Sequence, residues 1–556
     1  MAPDPLQKLT WTAPGPGEWS LDRSHVNRPA TPIVGTLMCH GCGRGTGRGM
    51  KELGAPVGSL EFRTVNGLIY SRVFPLIGAN KPPKKLPPLQ LLKLATKLHP
   101  EMRRRAKTAQ QTIDNPPWTA KLHEWHRPGG LRDTYINQNM ELQRVDVSSI
   151  DDVALVAHAT KAIDHATQLY EDHLYLHNFD LGPIGLLLFV TNQWGIPTTD
   201  IFPLLEGASP STTAASHELG AIRKLVVDSG KNPDNLADIR NVSTEAASAI
   251  DAFLERRGNT IISRYDIDGL TLGESPDVLF TRIMGAPLDN VDDVKRAAAV
   301  QQRIAAVRTR VPEQHLAEFD KLLSGAREAM DLRDENGPIT LEWPFGLVRR
   351  ALLELGRRMQ QRNLAHAPEH AFEMTLDEIN VALTANAPGA DELAGRQLWR
   401  NTVDVEDAPR KLGNPEPVPP LDILPQSLAY VAGYVQMVIS EAGLDGTQRT
   451  TGLNGYGVGA APYTGIARIA TSPEAAVEQL APGEILVVPC TTPAYNMVVG
   501  FAGALVTAEG GPLSHAAVIA RELGLSAVIG APRAMLDIPD GATIEVDPAK
   551  GLVSVL

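Results

Sequence analysis

From about residue 90 to residue 400, apolar residues recur at three- and four-residue steps. VALVAHATKAIDHATQLYEDHLYL (153–176) and LVRRALLELGRRMQQR (347–362) show the pattern, which puts the apolar side chains on one face of a helix. After about residue 453 the texture changes to short β-like runs: EILVVP (484–489), GALVTAE (503–509), SAVIGA (526–531), TIEVD (543–547) and LVSVL (552–556). A helix beginning near His515 lies between two of them. Residues 1–90 are rich in turn signals and end in KPPKKLPP (81–88), which cannot continue a helix or a central strand. Residues 403–425 hold six prolines in 23 residues, the composition of a semi-rigid extended spacer. A last apolar segment, 427–442, follows it.

These textures predict a multidomain chain. A turn-rich N-terminal segment (1–90) packs on a large, mainly α-helical domain (91–402). A Pro-rich linker and connecting helix (403–452) lead to a compact α/β domain (453–556). A length of 556 residues fits three to four units. There is no internal repeat and no low-complexity tract.

With 43% apolar and 21% charged residues the chain reads as a buried globular protein rather than a disordered one. Its 52 basic and 64 acidic side chains give a formal net charge of −12, which argues against a general nucleic-acid binder. Three cysteines, Cys39, Cys42 and Cys490, make no disulfide framework and fit a reducing compartment. The start, MAPDPLQKLTW, has no basic stretch followed by an apolar core, and the longest apolar run, around 181–190, is far short of the roughly 20 residues that span a bilayer. A cytoplasmic protein without membrane or nucleic-acid partners is expected.

The segment with chemistry in it is TAEGGPLSHAAVIARELG (507–524). A strand ends at about Glu509, and Gly510-Gly511 lets the chain turn without a Cβ penalty. Ser514 is placed to cap the next helix. His515 then stands in its first turn, where unpaired N–H groups and the positive dipole end collect. The dipole disfavours the charged imidazole, so the ring tends to be neutral and nucleophilic near pH 7. The same N–H groups would stabilise an anion on the ring. Such a histidine can take up a phosphoryl group and pass it on; it is equally compatible with a capped helix that carries an incidental histidine.

The stretch GGPLSHAAVIARELGLSAVIG (510–530) resembles the mobile phosphohistidine domain of the phosphoenolpyruvate-utilising enzymes. That group includes phosphoenolpyruvate synthase, pyruvate phosphate dikinase and rifampin phosphotransferase, and the resemblance runs from about residue 453 to the C-terminus. It implies that His515 is phosphorylated, that the domain swivels between two distant sites, and that Thr507, Gly510, Gly511, Ser514, Arg521 and Glu522 support the phosphate or the helix. GEWSLDRSHVNRPATP (17–32), LERRGNTIISRYDIDGLTLGESPDVL (254–279) and residues 332–359 are similar to rifampin phosphotransferase-like proteins, the last two to their helical acceptor-binding domain. The family's usual ATP-grasp domain would precede Gly17, where there are sixteen residues, and the phosphoenolpyruvate-binding barrel is not seen after Leu556. The arrangement resembles that of phenylphosphate synthase, whose ATP-binding subunit is a separate polypeptide. The resemblance therefore implies a separate ATP-grasp partner carrying ATP and Mg²⁺, with a small hydrophobic hydroxyl compound as acceptor.

Other signals carry two readings each. His158, His165, His173 and His177 project within a band of roughly 120° on one helix. They could line a pocket that supplies a general base or a metal ligand, or form a partly solvated face; His173 and His177, one turn apart, are the first pair to test. Arg333 matches a basic position near the family's acceptor site, while Gly337 stands where a second basic residue is expected. Arginine suits bidentate phosphate contacts, yet Arg333 could equally pair with a local carboxylate. Arg349, Arg350, Arg357 and Arg358 read as a solvated face. Cys39-His-Gly-Cys42 lacks a second half for a zinc site, so no metal is assigned. The glycines of 41–49 read as a flexible turn, and Trp19, Trp194 and Trp343 as pocket or core. Three functions remain open: a phosphotransferase component, an enzyme that uses transient substrate phosphorylation to drive dehydration or cyclisation, and a non-catalytic regulatory protein with the phosphocarrier fold.

Overall fold

The structure, a computed structural model, describes residues 9–22, 28–262, 264–288, 291–384, 386–403, 405, 408–441, 450–459, 461–471, 473–491, 495 and 498–556. The reading of residues 1–8 as lacking a leader lies outside these, as do 23–27 of the 17–32 stretch and residues 404, 406, 407 and 442–449 of the linker. The chain divides into two compact units: residues 1–182, 266–268 and 336–436, and residues 183–265, 269–335 and 437–556.

The first unit opens with the helices α1 (Pro32–Leu53), α2 (Leu89–Leu98), α3 (Pro100–Asp114), α4 (Trp118–His126), α5 (Leu131–Gln143) and most of α6 (Asp152–Gln193), and also holds the later helices Trp343–Gln361, Ala390–Thr402 and most of Gln426–Glu441. The division between units falls inside α6, which holds Pro183. By length and composition α6 could cross a membrane, but 78% of its most apolar window is buried inside the molecule, as expected of a core helix. The flexible turn expected at 41–49 is corrected: those residues lie within α1. Gly41, Gly45 and Gly49 recur every four residues, and a Cβ on Gly45 would stand 2.2 Å from the Glu171 carbonyl oxygen of α6. Bare backbone lets the two helices approach, which offsets the roughly 1 kcal/mol each helical glycine costs.

A four-stranded antiparallel sheet completes this unit, with strands β1 (Glu18–Leu21), β2 (Val57–Val65), β3 (Leu68–Pro75) and β4 (Lys411–Gly413) in the order β2-β3-β1-β4. Trp19 is fully buried on it against Leu68, Tyr70 and Leu412. β4 comes from the Pro-rich stretch, and the Glu416 carboxylate just beyond accepts from Arg72 Nε at 2.7 Å and from the Glu18 N–H. The stretch 403–425, expected as a semi-rigid extended spacer, holds in its middle the strand β4, paired with β1.

The second unit joins helices to a seven-stranded sheet. Its strands are β5 (Tyr456–Val458), β6 (Tyr463–Ile469), β7 (Ile485–Val488), β8 (Ala504–Thr507), β9 (Ser526–Ile529), β10 (Thr543–Asp547) and β11 (Leu552–Val555), in the order β11-β10-β6-β7-β8-β9-β5. β6 to β9 are parallel; β10, β11 and β5 add antiparallel edges. β7 and β8 are buried on both faces, as central parallel strands are. Ile485 and Val487 face one core, with Val506 and Val546, while Leu486 and Val488 face the other, with Ala516, Ala517 and Ala520 of the helix His515–Leu523. The five expected strands are present; β5 and β6 are additional. In the helical part, one cluster gathers Leu219, Ile222, Ile250 and Phe253, and a second gathers Ile184, Leu187, Phe202, Phe319, Leu323 and Met330.

Candidate functional site

The helix His515–Leu523 connects β8 to β9, so its N-terminus opens at the carboxyl end of the parallel strands, where α/β sheets place their sites. Thr507, at the end of β8, donates its Oγ1 hydrogen to Glu509 O at 2.8 Å and accepts the Gly530 N–H at 3.2 Å, tying β8 to β9. Gly510 sits at φ +114°, and a Cβ on Gly530 would meet its carbonyl oxygen at 2.5 Å. The Gly511 carbonyl accepts the Ser514 N–H at 2.9 Å. Ser514 is the N-cap, its Oγ accepting from Ala517 N. These four residues build the turn that presents His515.

His515 Nδ1 lies 2.9 Å from Thr491 Oγ1, just beyond the end of β7. With Nδ1 engaged, Nε2 is the ring atom left for attack. Burial, and secondarily the Arg333 guanidinium, lowers the imidazole to about 3, so it is neutral at physiological pH. Desolvation, rather than the helix dipole expected from the position in the sequence, is the larger cause. Burial is not closure, since His515 as a residue is only partly covered.

Arg333 donates from Nη2 to the Leu513 carbonyl oxygen at 2.6 Å and lies 3.9 Å from Asp334. Leu513 itself is buried in the Ile184–Phe202–Phe319 cluster. Arg521 donates both Nη groups to Pro512 O at 3.0 Å, and its guanidinium lies over the Phe202 ring. Glu522 is buried; desolvation and the Asp334 charge raise it to about 7, against the pull of Arg521 and the Gly207 N–H. Arg333, Arg521, Glu522 and His515 thus share one charged neighbourhood. Thr491, Leu513 and Asp334 were missed from sequence; the polar TT directly after EILVVP was the available signal for Thr491.

His173 and His177 lie in the first unit and do not belong to this group. Their ring centroids are 4.4 Å apart. His177 Nδ1 is 2.8 Å from Asp180 Oδ2, and Asp180 is fully buried, its Oδ1 without a hydrogen-bond partner among the described residues. His173 is buried, not partly solvated, with Nδ1 3.0 Å from Thr340 Oγ1. The Thr340 hydroxyl is within reach of Asn336 O and Oδ1, and Asn336 Nδ2 donates to His173 O. Since Thr340 gives its hydrogen to Asn336, it accepts from His173. His165 pairs with Asn139 at 2.7 Å, and burial lowers it to about 4. Thr340 sits in a π-helical turn, Pro338–Glu342, a feature frequent at functional sites. Burial raises Glu342 there to about 8, and its Oε1 has no hydrogen-bond partner among the described residues. A Cβ on Gly337 would stand 3.5 Å from that Oε1.

The solvated arginine face is a correction. Arg349 is buried, donating to Ile267 O over the Phe372 ring, and Arg358 is buried between Glu354, Asp152 and the carbonyls of Val147 and Ile150. Arg350 is half-buried on Gln143 O and Val145 O; Arg357 alone matches the expectation. The acceptors of Arg349, Arg350 and Arg358 include the carbonyls of Gln143 at the end of α5, of Val145, Val147 and Ile150 after it, and of Ile267. Trp19 and Trp343 are core, while Trp194 is half-buried and stacks on His315.

Residues 480–551 match the family model of the PEP-utilising enzyme, mobile domain. The chain therefore carries the mobile domain of the phosphoenolpyruvate-utilising enzymes. Relatives extend the similarity beyond that domain. A chondramide synthase of Chondromyces crocatus is 29% identical over 387 residues, 64% of this chain and 10% of its own length. A rifampicin phosphotransferase of Streptomyces sviceus is 28% identical over 342 residues, 58% of this chain and 36% of its own. A phosphoenolpyruvate synthase of Aeropyrum pernix is 38% identical over 99 residues, 17% of this chain and 12% of its own. The chain thus spans about a tenth of the chondramide synthase and about a third of the rifampicin phosphotransferase.

Proposed function

We propose that this chain is a phosphotransferase component that carries a phosphoryl group on His515. An ATP-binding protein of the ATP-grasp type, holding Mg²⁺ and acting in trans, is the donor, and the acceptor is a hydroxyl of a small, hydrophobic molecule. The observation that carries the reading is a neutral imidazole at a helix N-terminus, with Nδ1 held by Thr491 and Nε2 left to react. Phosphoryl transfer asks chiefly for positioning and charge stabilisation. The orphan N–H groups of the helix start and the Arg333 guanidinium are suited to the charge of a phosphorylated ring. Attack by Nε2 on the β-phosphorus of ATP forms the N–P bond as the Pα–O–Pβ bond breaks and AMP leaves; water then takes off the γ-phosphoryl group as phosphate, so one phosphoryl group, the former β, stays on the ring. An acceptor oxygen later forms the new O–P bond as N–P breaks and its electron pair returns to the imidazole.

For the acceptor, the His177–Asp180 pair offers a base. Asp180 takes the Nδ1–H, which leaves Nε2 of a part-exposed ring to accept a hydroxyl proton. The similarity to a rifampicin phosphotransferase supports the same class of chemistry. Incubation with the donor protein and β-labelled ATP should give acid-labile, alkali-stable label on His515. No label on the wild type, or label that survives in His515→Ala, overturns the reading.

A further inference from the structure

Four of the ten residues of α2 are leucines standing in solvent: Leu89, Leu91, Leu94 and Leu98 are 50, 61, 53 and 63% exposed. At about 100° per residue, Leu91, Leu94 and Leu98 project within about 60° of one another and about 140–160° from Thr96. Thr96 is the buried residue of this helix, its Oγ1 donating to Lys93 O at 2.9 Å and Ile423 O at 3.1 Å. That anchor fixes the roll of the helix, so the leucine stripe points outward. Its i, i+3, i+7 spacing is that of helix-in-groove recognition. Around it Lys81, Lys84, Lys85, Lys93 and Lys97 are all exposed, and residues 76–100 contain no Asp or Glu, in a chain of net charge −12.

We propose that α2 is the docking helix for the ATP-binding donor protein, inserting its leucine stripe into an apolar groove of that partner rimmed by carboxylates. The inference rests on the phosphocarrier reading above and names the surface where the carrier meets its donor. A stripe about 60° wide is the narrow seam of a helix–helix contact, whereas an interfacial membrane helix presents a broad apolar face. Three leucines a side fall well short of the roughly 800 Å² per partner of a stable interface. Two copies would also repeat the same lysines against each other. A groove that wraps the stripe and answers the lysines resolves both.

The test compares the full-length chain with its Leu91→Glu/Leu94→Glu/Leu98→Glu variant. Phosphoramidate should load His515 equally in both, which shows an intact carrier. In an extract of the source organism with β-labelled ATP, the variant should be labelled about tenfold more slowly or worse, as expected when interface anchors are removed. Equal rates overturn the proposal, and so does an unlabelled wild type that phosphoramidate still loads. Sedimentation of the wild type, but not the variant, with phosphatidylcholine–phosphatidylglycerol vesicles also overturns it, as does a wild-type dimer that the variant dissolves. If neither ATP nor phosphoramidate labels His515, the phosphocarrier reading itself fails.

Discussion

Arg333 donates from its guanidinium to the Leu513 carbonyl oxygen at 2.6 Å, and the Leu513 side chain is buried among Ile184, Phe202, Phe319 and Met330. The turn before His515 is thereby held against the helical part of its own unit. Leu513→Ala should cost about 2–4 kcal/mol of unfolding free energy, the usual range for a leucine cavity. Chemical denaturation measures it, and a loss below about 0.5 kcal/mol, as at a surface site, would mean that the side chain is not held there.

Glu522 makes the second unit sensitive to alkali. Its carboxyl is raised to about 7, above its ordinary value, so its contribution is full below about 4.5 and is lost as pH rises through 7. His515, lowered to about 3, acts in the opposite sense, its contribution being lost as pH falls below about 6.5. Glu522→Gln should stabilise the protein on the order of 1 kcal/mol at pH 8 and leave it unchanged near pH 4.5. Thermal unfolding at the two pH values checks this; an equal effect at both would point to packing rather than charge.

Thr491 holds the ring that reacts. Thr491→Val keeps the volume but removes the partner of His515 Nδ1, at about 1 kcal/mol for a buried hydrogen bond. Phosphoramidate loading should slow about fivefold to tenfold, while Thr491→Ser should load nearly as the wild type. Equal loading by all three would show that the ring needs no such restraint.

Gly45→Ala separates propensity from packing. In an open helix this change gains about 1 kcal/mol; here the new Cβ would meet the Glu171 carbonyl at 2.2 Å. A net loss of about 1–3 kcal/mol is expected from overpacking. A gain in denaturant midpoint would show that α1 and α6 do not touch there.

The sequence carried the mobile domain well because its information is local. Strand runs such as EILVVP, the Gly-Gly turn, the Ser514 cap and His515 are each legible within a few residues. Long-range pairings were not. Thr491 stands 24 residues from His515, and only the parallel pairing of β7 with β8 brings strand ends together. Leu513 looks like any apolar turn residue until the helical cluster surrounds it. The same limit misread the glycines of 41–49, since every-fourth spacing signals close helix packing only once α6 is known to lie there. Arg349 and Arg358 read as surface because their backbone acceptors, Ile267 O and Ile150 O, lie 82 and 208 residues away in the sequence.

The most direct test is the site of phosphorylation itself. The purified chain, treated with the donor protein and β-labelled ATP and mapped by mass spectrometry under alkaline conditions, should carry one phosphoryl group on His515 and none in His515→Ala. A label that resists acid, or one that maps to any other residue, contradicts the account.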